Sequence, residues 1–586
     1  MWAVTALYAV LAFYNLGNTS APQTFTDVKN GDDIVVDLGE RRDITRITLY
    51  VGIAEGSFTF KVSDNGSVWR DITMSYREDG GEEGEENRAA IKPDHTTSFS
   101  WLTSRIHQNT RYIRITGSAD ASRQTVGMLG EVAVWDGDMQ APIVWTDRPE
   151  IADEQNLVAR SGNYMNSAYF DEIYHARAAY EIIHGKPVYE TVQPPLGKLL
   201  ITPGIRIFGM TPFGWRFMGT LFGVAMLPVM FCLAKKTLVD SWLALVATSI
   251  LALDFMHFTL TRISTIDSYP VFFIMLTFLF LLEYMKRAGN EELSNWQRVK
   301  PLLWSGFFFG LGCASKWITL YAAAGILALL IITWVKVTRG ARRLQKPRKR
   351  GASSPRVSKN TGAMPATRRD LKSNRVLHDF LVCCGIFVVI PAIIYTLSYI
   401  PHSHDGNLFK TVVDSQKSMF SYHSKLDEGH PFASPAWTWP LVWKPVWAYM
   451  DVEAGAYGMT GAINIMGTPI IWWFGFAAAL ATIVLACVNR NSVAVFISMA
   501  FLTQYIFWFS IPRIIFIYHF FASVPFMILA MCFWLQKTPK WIWMATIAAA
   551  AVLFAAFYPL LAGNRIPIEY AEKLRWLPEW NIFAGR

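Results

Sequence analysis

The chain has 586 residues, of which 52% are hydrophobic, 14% aromatic and only 17% charged, whereas a soluble chain would carry about 25% charge; a purely aqueous enzyme is therefore disfavoured. The net charge of +9 does not point to nucleic acid, because 14 Lys/Arg against the single acid Asp370 are concentrated between Lys336 and Arg375 and no aromatic or Gly-rich motif is interleaved with them. A basic loop between two apolar spans reads as a cytoplasmic topology determinant, compatible with anionic headgroups.

Eleven apolar spans are predicted: about 1–17, 212–235, 238–258, 265–285, 302–316, 317–336, 378–400, 468–488, 492–509, 513–536 and 540–562. Most are long enough to cross about 30 Å of hydrocarbon at 1.5 Å per residue. The first lacks a basic n-region and reads as a short helix rather than a signal peptide, with a native start allowed upstream of Met1. The stretch 302–336 fits two short helices with a break near Lys316-Trp317. With Lys235-Lys236, Lys286-Arg287, the basic loop 337–377, Asn489-Arg490 and Gln536 to Lys540 inside, every second connection is basic. That pattern puts 18–211, 401–467 and the tail 563–586 outside. The six cysteines fall in or beside apolar runs, so no disulfide framework is implied.

Residues 20–138 are polar and alternate like strands at Ile34 to Leu38, Ile44 to Val51, Phe58 to Val62, Tyr112 to Ile115 and Val132 to Trp135, with turn signals at Asp64-Asn65-Gly66 and Asp79-Gly80-Gly81. The order VVDLG, ITRITLYVG, FTFKVSDNGSVWRDI, RYIRITGS, LGEVAVWDG resembles a discoidin-like (coagulation-factor type C) β-sandwich. Glycan or surface binding and a cap or spacer role both remain open for it.

The outer loop 139–211 carries an amphipathic helix, with Ile173, Ala176, Tyr180 and Ile183 at helical spacing and Asp171 and Glu172 at its start. Capping alone accounts for acids there, but the rigid turn Gln193 to Lys198 follows directly. Arg216, Arg262, Asp267, Lys316, Arg513, Tyr518 and His519 sit at the expected outer ends of spans, where a charge is costly unless it serves a site or is paired. Cations so placed suit a phosphate whose lipid tail stays in the bilayer. A carboxylate at the interface suits a base for an incoming hydroxyl. Together they describe glycosyl transfer, and one base without a second carboxylate as nucleophile implies inversion.

The motifs FDEIYHARAAYE, QPPLGKLL, GWRFMGTLFG, RISTIDSYPVFFIML, GLGCASKWITLY, YHSKLDEGHPFASPAWTWPL and IPRIIFIYHFFASVPF, in order over 160–562, resemble the bacterial form of the dolichyl-phosphate-mannose–protein mannosyltransferase family (glycosyltransferase family 39, GT-C fold). The resemblance implies a polytopic α-helical membrane protein of about 11 transmembrane helices, here with an all-β sandwich inserted in the first outer loop. It implies that Asp171 is the catalytic base, with Glu172 beside it, and offers Lys198, Arg216, Arg262, Lys316 and Arg513 as candidates for the donor phosphate. Asp267 is expected to pair with an Arg. His175, Gln193, His423, His430, Trp437, Trp439, Tyr518 and His519 are candidates to line the sugar or acceptor groove, with interfacial anchoring an equal reading for the tryptophans. Two departures stand out: Gln193 replaces a His found in many members, and 401–467 is too short for the β-trefoil domain of the eukaryotic enzymes.

The expected partners are a polyprenyl-phosphate-linked sugar donor, an exported protein acceptor and the lipid bilayer, with no nucleic acid. The expected reaction moves a hexose, mannose by the resemblance, to Ser/Thr hydroxyls on the extracytoplasmic face of a bacterial plasma membrane. No metal or other cofactor is expected, since His423 and His430 lack a supporting carboxylate set. Transfer of another sugar, or to a lipid or cell-wall glycan, is the near alternative. A transporter of lipid-linked sugars is the distant one, and inverted repeats, which would favour it, are not evident in the sequence. A membrane-anchored lectin would leave eleven spans unexplained.

Overall fold

The computed structural model describes residues 1–72, 89–120, 122–344, 368–403, 406–425, 429–451 and 454–583. Among these, eight helices are long and apolar enough to cross a membrane: Pro212–Leu238, Ser268–Arg287, Trp317–Arg339, Val376–His402, Pro469–Asn489, Ser492–Ser510, Ile517–Leu535 and Lys540–Ala562. The pair Ser241–Ala252 and Phe255–Arg262, bent by 57°, makes a ninth if read as one span. The other two expected spans are also helical: α1 (Trp2–Phe13) has only 12 residues, and Asn295–Ser315 has 21. Most of the basic loop, 345–367, lies outside the described residues.

Two breaks in these helices have identifiable causes. At the bend, Asp254 caps the second segment by accepting from the His257 N–H at 3.1 Å, and its other oxygen accepts from Trp472 Nε1 at 2.8 Å. A buried carboxylate that ends one helix and starts the next is incompatible with a single straight rod. The helix Asn295–Ser315 stops where Lys316 is extended (φ −161°, ψ 140°), and a 3₁₀ turn, Trp317–Leu320, follows. That turn folds back so tightly that a Cβ on Gly312 would stand 2.6 Å from the Thr319 side chain, so this position has no room for a side chain.

The sandwich strands are β1 (Thr26–Lys29), β2 (Asp33–Ala54), β3 (Ser57–Ser63), β4 (Arg70–Asp71), β5 (Ala90–Ile91), β6 (Ser100–Ser118), β7 (Thr125–Asp136), β8 (Met139–Ala141) and β9 (Trp145–Thr146). They pair in the order β1-β7-β2-β6-β3-β4, all antiparallel. The two long strands β2 and β6 run together through register shifts between Asp37 and Arg42 and between Ile44 and Arg46. Such bulges bend a strand, so the N-terminal half of β2 and the C-terminal half of β6 lie with β3, while the other halves lie with β7. Val36, Ile47, Leu49, Phe58, Ile115 and Val132 fill the space between the layers.

The sandwich is packed into the helical domain rather than tethered to it. Phe99 and Met128 share one apolar cluster with Ala176, Ala179, Tyr180, Ile201 and Trp215, so the core continues across the junction. Gln23 exchanges two hydrogen bonds with the backbone of Met210, at 2.9 and 3.1 Å. From the sandwich side Glu55 lies 3.7 Å from Arg177, which also pairs with Glu181 at 2.9 Å.

Candidate active site

Asp171 precedes α2 (Glu172–Ile183), which packs between the sandwich and the bundle. Its main-chain carbonyl accepts from Tyr174 and His175 at 3.1 Å each, fixing the first turn, while its carboxylate caps nothing. No hydrogen-bond partner for that carboxylate occurs among the described residues. The preceding residue, Phe170, has φ +53°, which is rare for an aromatic residue and costs on the order of 1 kcal/mol or more. Its ring meets Tyr518 edge-on at 6.1 Å. The left-handed step turns the chain into the helix at the residue that presents the free carboxylate.

Burial pushes the Asp171 carboxyl up to about 7; the Lys316 ammonium pulls the other way, and the carboxylates of Asp267 and Glu190 add to the rise. The group nevertheless keeps part of its surface accessible. A reachable, unpartnered carboxylate that titrates near neutrality can take a proton from an alcohol as the alcohol attacks. Four residues on, His175 is held well below the ordinary histidine range by burial and by the nearby Lys198 and Lys316, so it is neutral, and its Nδ1 is buried without a partner.

The neighbouring Glu172 differs in every respect. It is fully buried and accepts from Arg216 Nε and Nη2 at 2.7 Å each, from Trp215 Nε1 at 3.1 Å and from the Ser264 N–H at 2.9 Å. With its lone pairs taken, it anchors the start of α2 and is not available as a second acid or base. Arg216 is equally committed, donating also to the carbonyls of Leu16, Tyr164 and Ser167 at 2.9, 2.5 and 3.1 Å.

The five cations expected at the donor phosphate therefore divide. Arg216 is locked on Glu172. Arg262 donates to the carbonyls of Ala12, Tyr14 and Asn15 at 2.8–3.0 Å and so closes the end of α1. Lys198 is buried and its three donors go to the Glu190 carboxylate (2.5 Å), the Glu190 carbonyl (2.7 Å) and the Gln193 carbonyl (3.0 Å). Arg216 and Lys198 have every donor used inside the protein and none left for a ligand, while Arg262 spends its Nε and Nη2 donors on the end of α1. Lys316 and Arg513 are different: Lys316 makes one ion pair, with Asp267 at 2.7 Å, and Arg513 donates from Nη1 to His423 Nδ1 at 2.8 Å. Asp267 thus pairs with a Lys rather than the expected Arg.

His423 is the hinge of this cluster. Its Nε2 lies 2.9 Å from the Val192 carbonyl while Nδ1 faces Arg513. The network assigns the proton to Nε2, since a guanidinium can only donate. Burial, with Arg513 beside it, lowers the imidazole to about 4, so it stays neutral and can accept. It belongs to the helix Leu408–Lys425 and ties that outer helix to the Gln193–Lys198 turn. That turn is seated by Gly197, where a Cβ would meet Ile266 at 2.8 Å and the Ser315 carbonyl at 3.3 Å. One glycine therefore lets the turn rest against the residues just before both Asp267 and Lys316.

The remaining groove candidates separate by burial. Tyr518 is an electrostatic neighbour of Asp171, Asp267, Arg513 and Tyr422, and its ring stacks on His519 at 4.6 Å. Gln193 is half-buried at the turn, its carbonyl used by Lys198. His430 is exposed and meets Phe516 edge-on at 5.0 Å. Trp437 is 61% exposed, whereas Trp439 is fully buried, donates to the Ser434 carbonyl at 3.1 Å and stacks beside His519 at 6.1 Å. Trp439 therefore packs against His519 and has no exposed surface with which to meet a ligand. Tyr422, Tyr174 and His95 were missed by sequence reasoning. His95, from the sandwich, stacks over Tyr174 at 6.5 Å, and Tyr174 lies beside Asp171 and Tyr422; no local signal marks such a long-range contact. Among the described residues, the group of carboxylates close enough to hold a metal ion is Glu131, Asp153 and Glu154, in the sandwich segment and not at Asp171.

A profile for dolichyl-phosphate-mannose-protein mannosyltransferases matches residues 207–407, and one for the C-terminal four-span region of protein O-mannosyltransferases matches 408–580. The chain is 24% identical to the polyprenol-phosphate-mannose–protein mannosyltransferase of Mycolicibacterium smegmatis over 474 residues, covering 70% of this chain and 87% of that one. It is also 24% identical to the protein of that name from Corynebacterium glutamicum over 492 residues, 72% and 89% of the two chains. Its fold matches the Saccharomyces cerevisiae protein O-mannosyltransferase Pmt1-Pmt2 complex bound to the sugar donor with a TM-score of 0.57 at 12% identity, covering 71% of this chain and 90% of that one.

Proposed function

Since the chain belongs to the dolichyl-phosphate-mannose–protein mannosyltransferase family, we propose that it transfers mannose from a polyprenyl phosphate to a Ser or Thr hydroxyl of an exported protein, with Asp171 as the base. The hydroxyl oxygen forms a bond to the anomeric carbon, the bond from that carbon to the phosphate oxygen breaks, and the hydroxyl proton goes to Asp171. Among the described residues the acids near Asp171, namely Glu172, Glu190 and Asp267, are each paired with a cation, so none serves as nucleophile and the attack inverts the configuration. Lys316 and Arg513 receive the charge that develops on the departing phosphate, each needing to give up only one internal contact to do so. Asp267 holds Lys316 in place, and His423 does the same for Arg513.

The observation that carries this reading is the contrast between adjacent acids, Glu172 saturated with five donors and Asp171 with none, titrating near 7 beside Lys316. The orientation is supported by charge: Lys235-Lys236, Lys286-Arg287 and Arg490 lie at the ends of spans opposite to the sandwich. This charge bias supports a reading in which Asp171 faces the extracytoplasmic side of a bacterial plasma membrane. The test is to incubate the purified protein with radiolabelled polyprenyl-phosphate sugars and a Ser/Thr peptide. Label from the mannosyl donor becoming peptide-linked and chloroform-insoluble is expected; label reaching only a glycan or lipid acceptor would replace the protein acceptor in this reading.

A further inference from the structure

A cavity of about 610 Å³ opens at the same end of the bundle as Asp171, where four chain segments meet: Asn15 just past α1, the loop at 163–165, the strand end at 449–451 and the start of the tail at 563–565. Its size falls in the range of small-ligand clefts, about 300–1,000 Å³. It is a separate place from the candidate active site. Between them stand Tyr449, Tyr169 and the Arg216–Glu172 pair: Tyr449 meets Tyr164 at 5.5 Å and Tyr169 at 5.7 Å, and Tyr169 lies under Arg216 at 4.8 Å.

The lining has a definite chemistry. Two tyrosine rings, Tyr164 and Tyr449, present apolar faces, and around them stand the amides of Asn15, Asn163 and Asn564 and the Asp451–Arg565 pair, joined at 2.6 Å. A left-handed φ of +49° accounts for an Asn at position 15. Backbone geometry does not account for Asn564, which follows the left-handed Gly563 and whose side chain bonds to nothing among the described residues. Asn15 likewise makes no side-chain bond there. Behind Asn15 and Tyr164 a smaller cavity of about 10 Å³ continues inward, lined by Thr259, whose fully buried hydroxyl has no partner.

We infer that this cavity is a second carbohydrate-binding site, taking one hexopyranose unit apart from the reaction centre. Amides offer a donor and an acceptor on one planar group and match vicinal hydroxyls. The paired Asp451 and Arg565 border these amides as a charge-neutral polar edge, and phenol faces suit the C–H side of a pyranose ring. A phosphate or a peptide carboxylate is disfavoured, since the one guanidinium is already paired with Asp451. The hexose is either free or already attached to an acceptor chain; the latter source rests on the proposed transferase activity.

The test uses the full chain in nanodiscs and saturation-transfer NMR, with methyl α-D-mannopyranoside, a Ser/Thr peptide, and the same peptide carrying one mannose. The hexoside signal is expected to persist in Asp171→Asn and to fall at least tenfold in Asn564→Ala and in Asn15→Gly, the second variant guarding against a local folding defect in the first. Tighter binding of the mannosylated peptide than of the bare one, lost in the same variants, assigns the attached sugar; hexoside binding without that gain assigns the free one, and either supports the site. Binding that disappears in Asp171→Asn but survives in both asparagine variants, or no hexose binding at all, overturns it. If no donor sugar is ever transferred yet hexoside binding still depends on Asn564, the proposed function fails and this inference stands.

Discussion

The titration of Asp171 gives the sharpest handle on the mechanism. A base active only when ionised, with a carboxyl held at about 7 by burial, is about 10% ionised one pH unit below that value and about 90% one unit above, so kcat/KM should rise roughly tenfold from pH 6 to pH 8. The sign of each neighbour's effect follows from its charge. Replacing Lys316 with Met removes the cation that favours the carboxylate and should move the midpoint up. Replacing Asp267 with Asn removes a like charge and releases Lys316 from its 2.7 Å partner, so the midpoint should move down. Each displacement should be on the order of one pH unit, the usual scale for a close charge. The assay is initial-rate transfer to a peptide under saturating donor, measured every half unit between pH 5 and pH 9. A flat profile, or Lys316→Met and Asp267→Asn moving the midpoint in the same direction, would refute the assignment of the base.

Other consequences of the geometry are open to simple variants. Glu172→Gln should destabilise the protein by about 3–5 kcal/mol, as expected when a buried ion pair loses one partner, visible as a lower unfolding temperature in detergent. Gly197→Ala should lower transfer at least tenfold, because its methyl meets Ile266 at 2.8 Å and displaces the turn from the residues next to Asp267 and Lys316; full activity would show that the turn can slide without cost. His423→Ala should raise the KM for donor more than it lowers kcat, since Arg513 loses its orienting partner while Asp171 is untouched. Removing residues 20–138 takes away Phe99 and Met128 and uncovers the face of Ala176, Ala179 and Tyr180 that they cover, at roughly 1.5–3 kcal/mol for each large side chain. The truncated chain should lose its cooperative unfolding transition, which a separable module would not cause.

Apolar runs made the helical spans legible, because hydrocarbon thickness fixes their length. Strand alternation did the same for the sandwich, where period-two burial is needed to fill the space between two layers. Asp171 stood out by its motif, and its carboxylate has no hydrogen-bond partner among the described residues. What sequence could not sort was cations of identical chemistry. Arg262 and Arg513 both stand near the ends of apolar runs, yet Arg262 is consumed by three carbonyls at the end of α1 and Arg513 meets only a neutral histidine. Those partners are hundreds of residues or one folded loop away, and nothing in the local pattern marks them. The same holds for Glu172, whose chemistry matches that of Asp171 beside it, and for Trp439, which looks identical in sequence to the exposed Trp437. The bend at Asp254 was hidden because one buried acid near the end of an apolar run hardly alters its hydropathy.

The most direct measurement is single-turnover transfer by Asp171→Asn, with radiolabelled polyprenyl-phosphate mannose and a Ser/Thr peptide, alongside donor binding by the same variant. The amide keeps the volume of the carboxylate and removes its capacity to take a proton. Transfer should fall by about 10²–10⁴, the usual contribution of general-base catalysis, with donor affinity within about threefold of the parent at the tenfold-equals-1.4 kcal/mol scale. Turnover near that of the parent would contradict the role of Asp171, and with it the account of how this membrane face carries out glycosyl transfer.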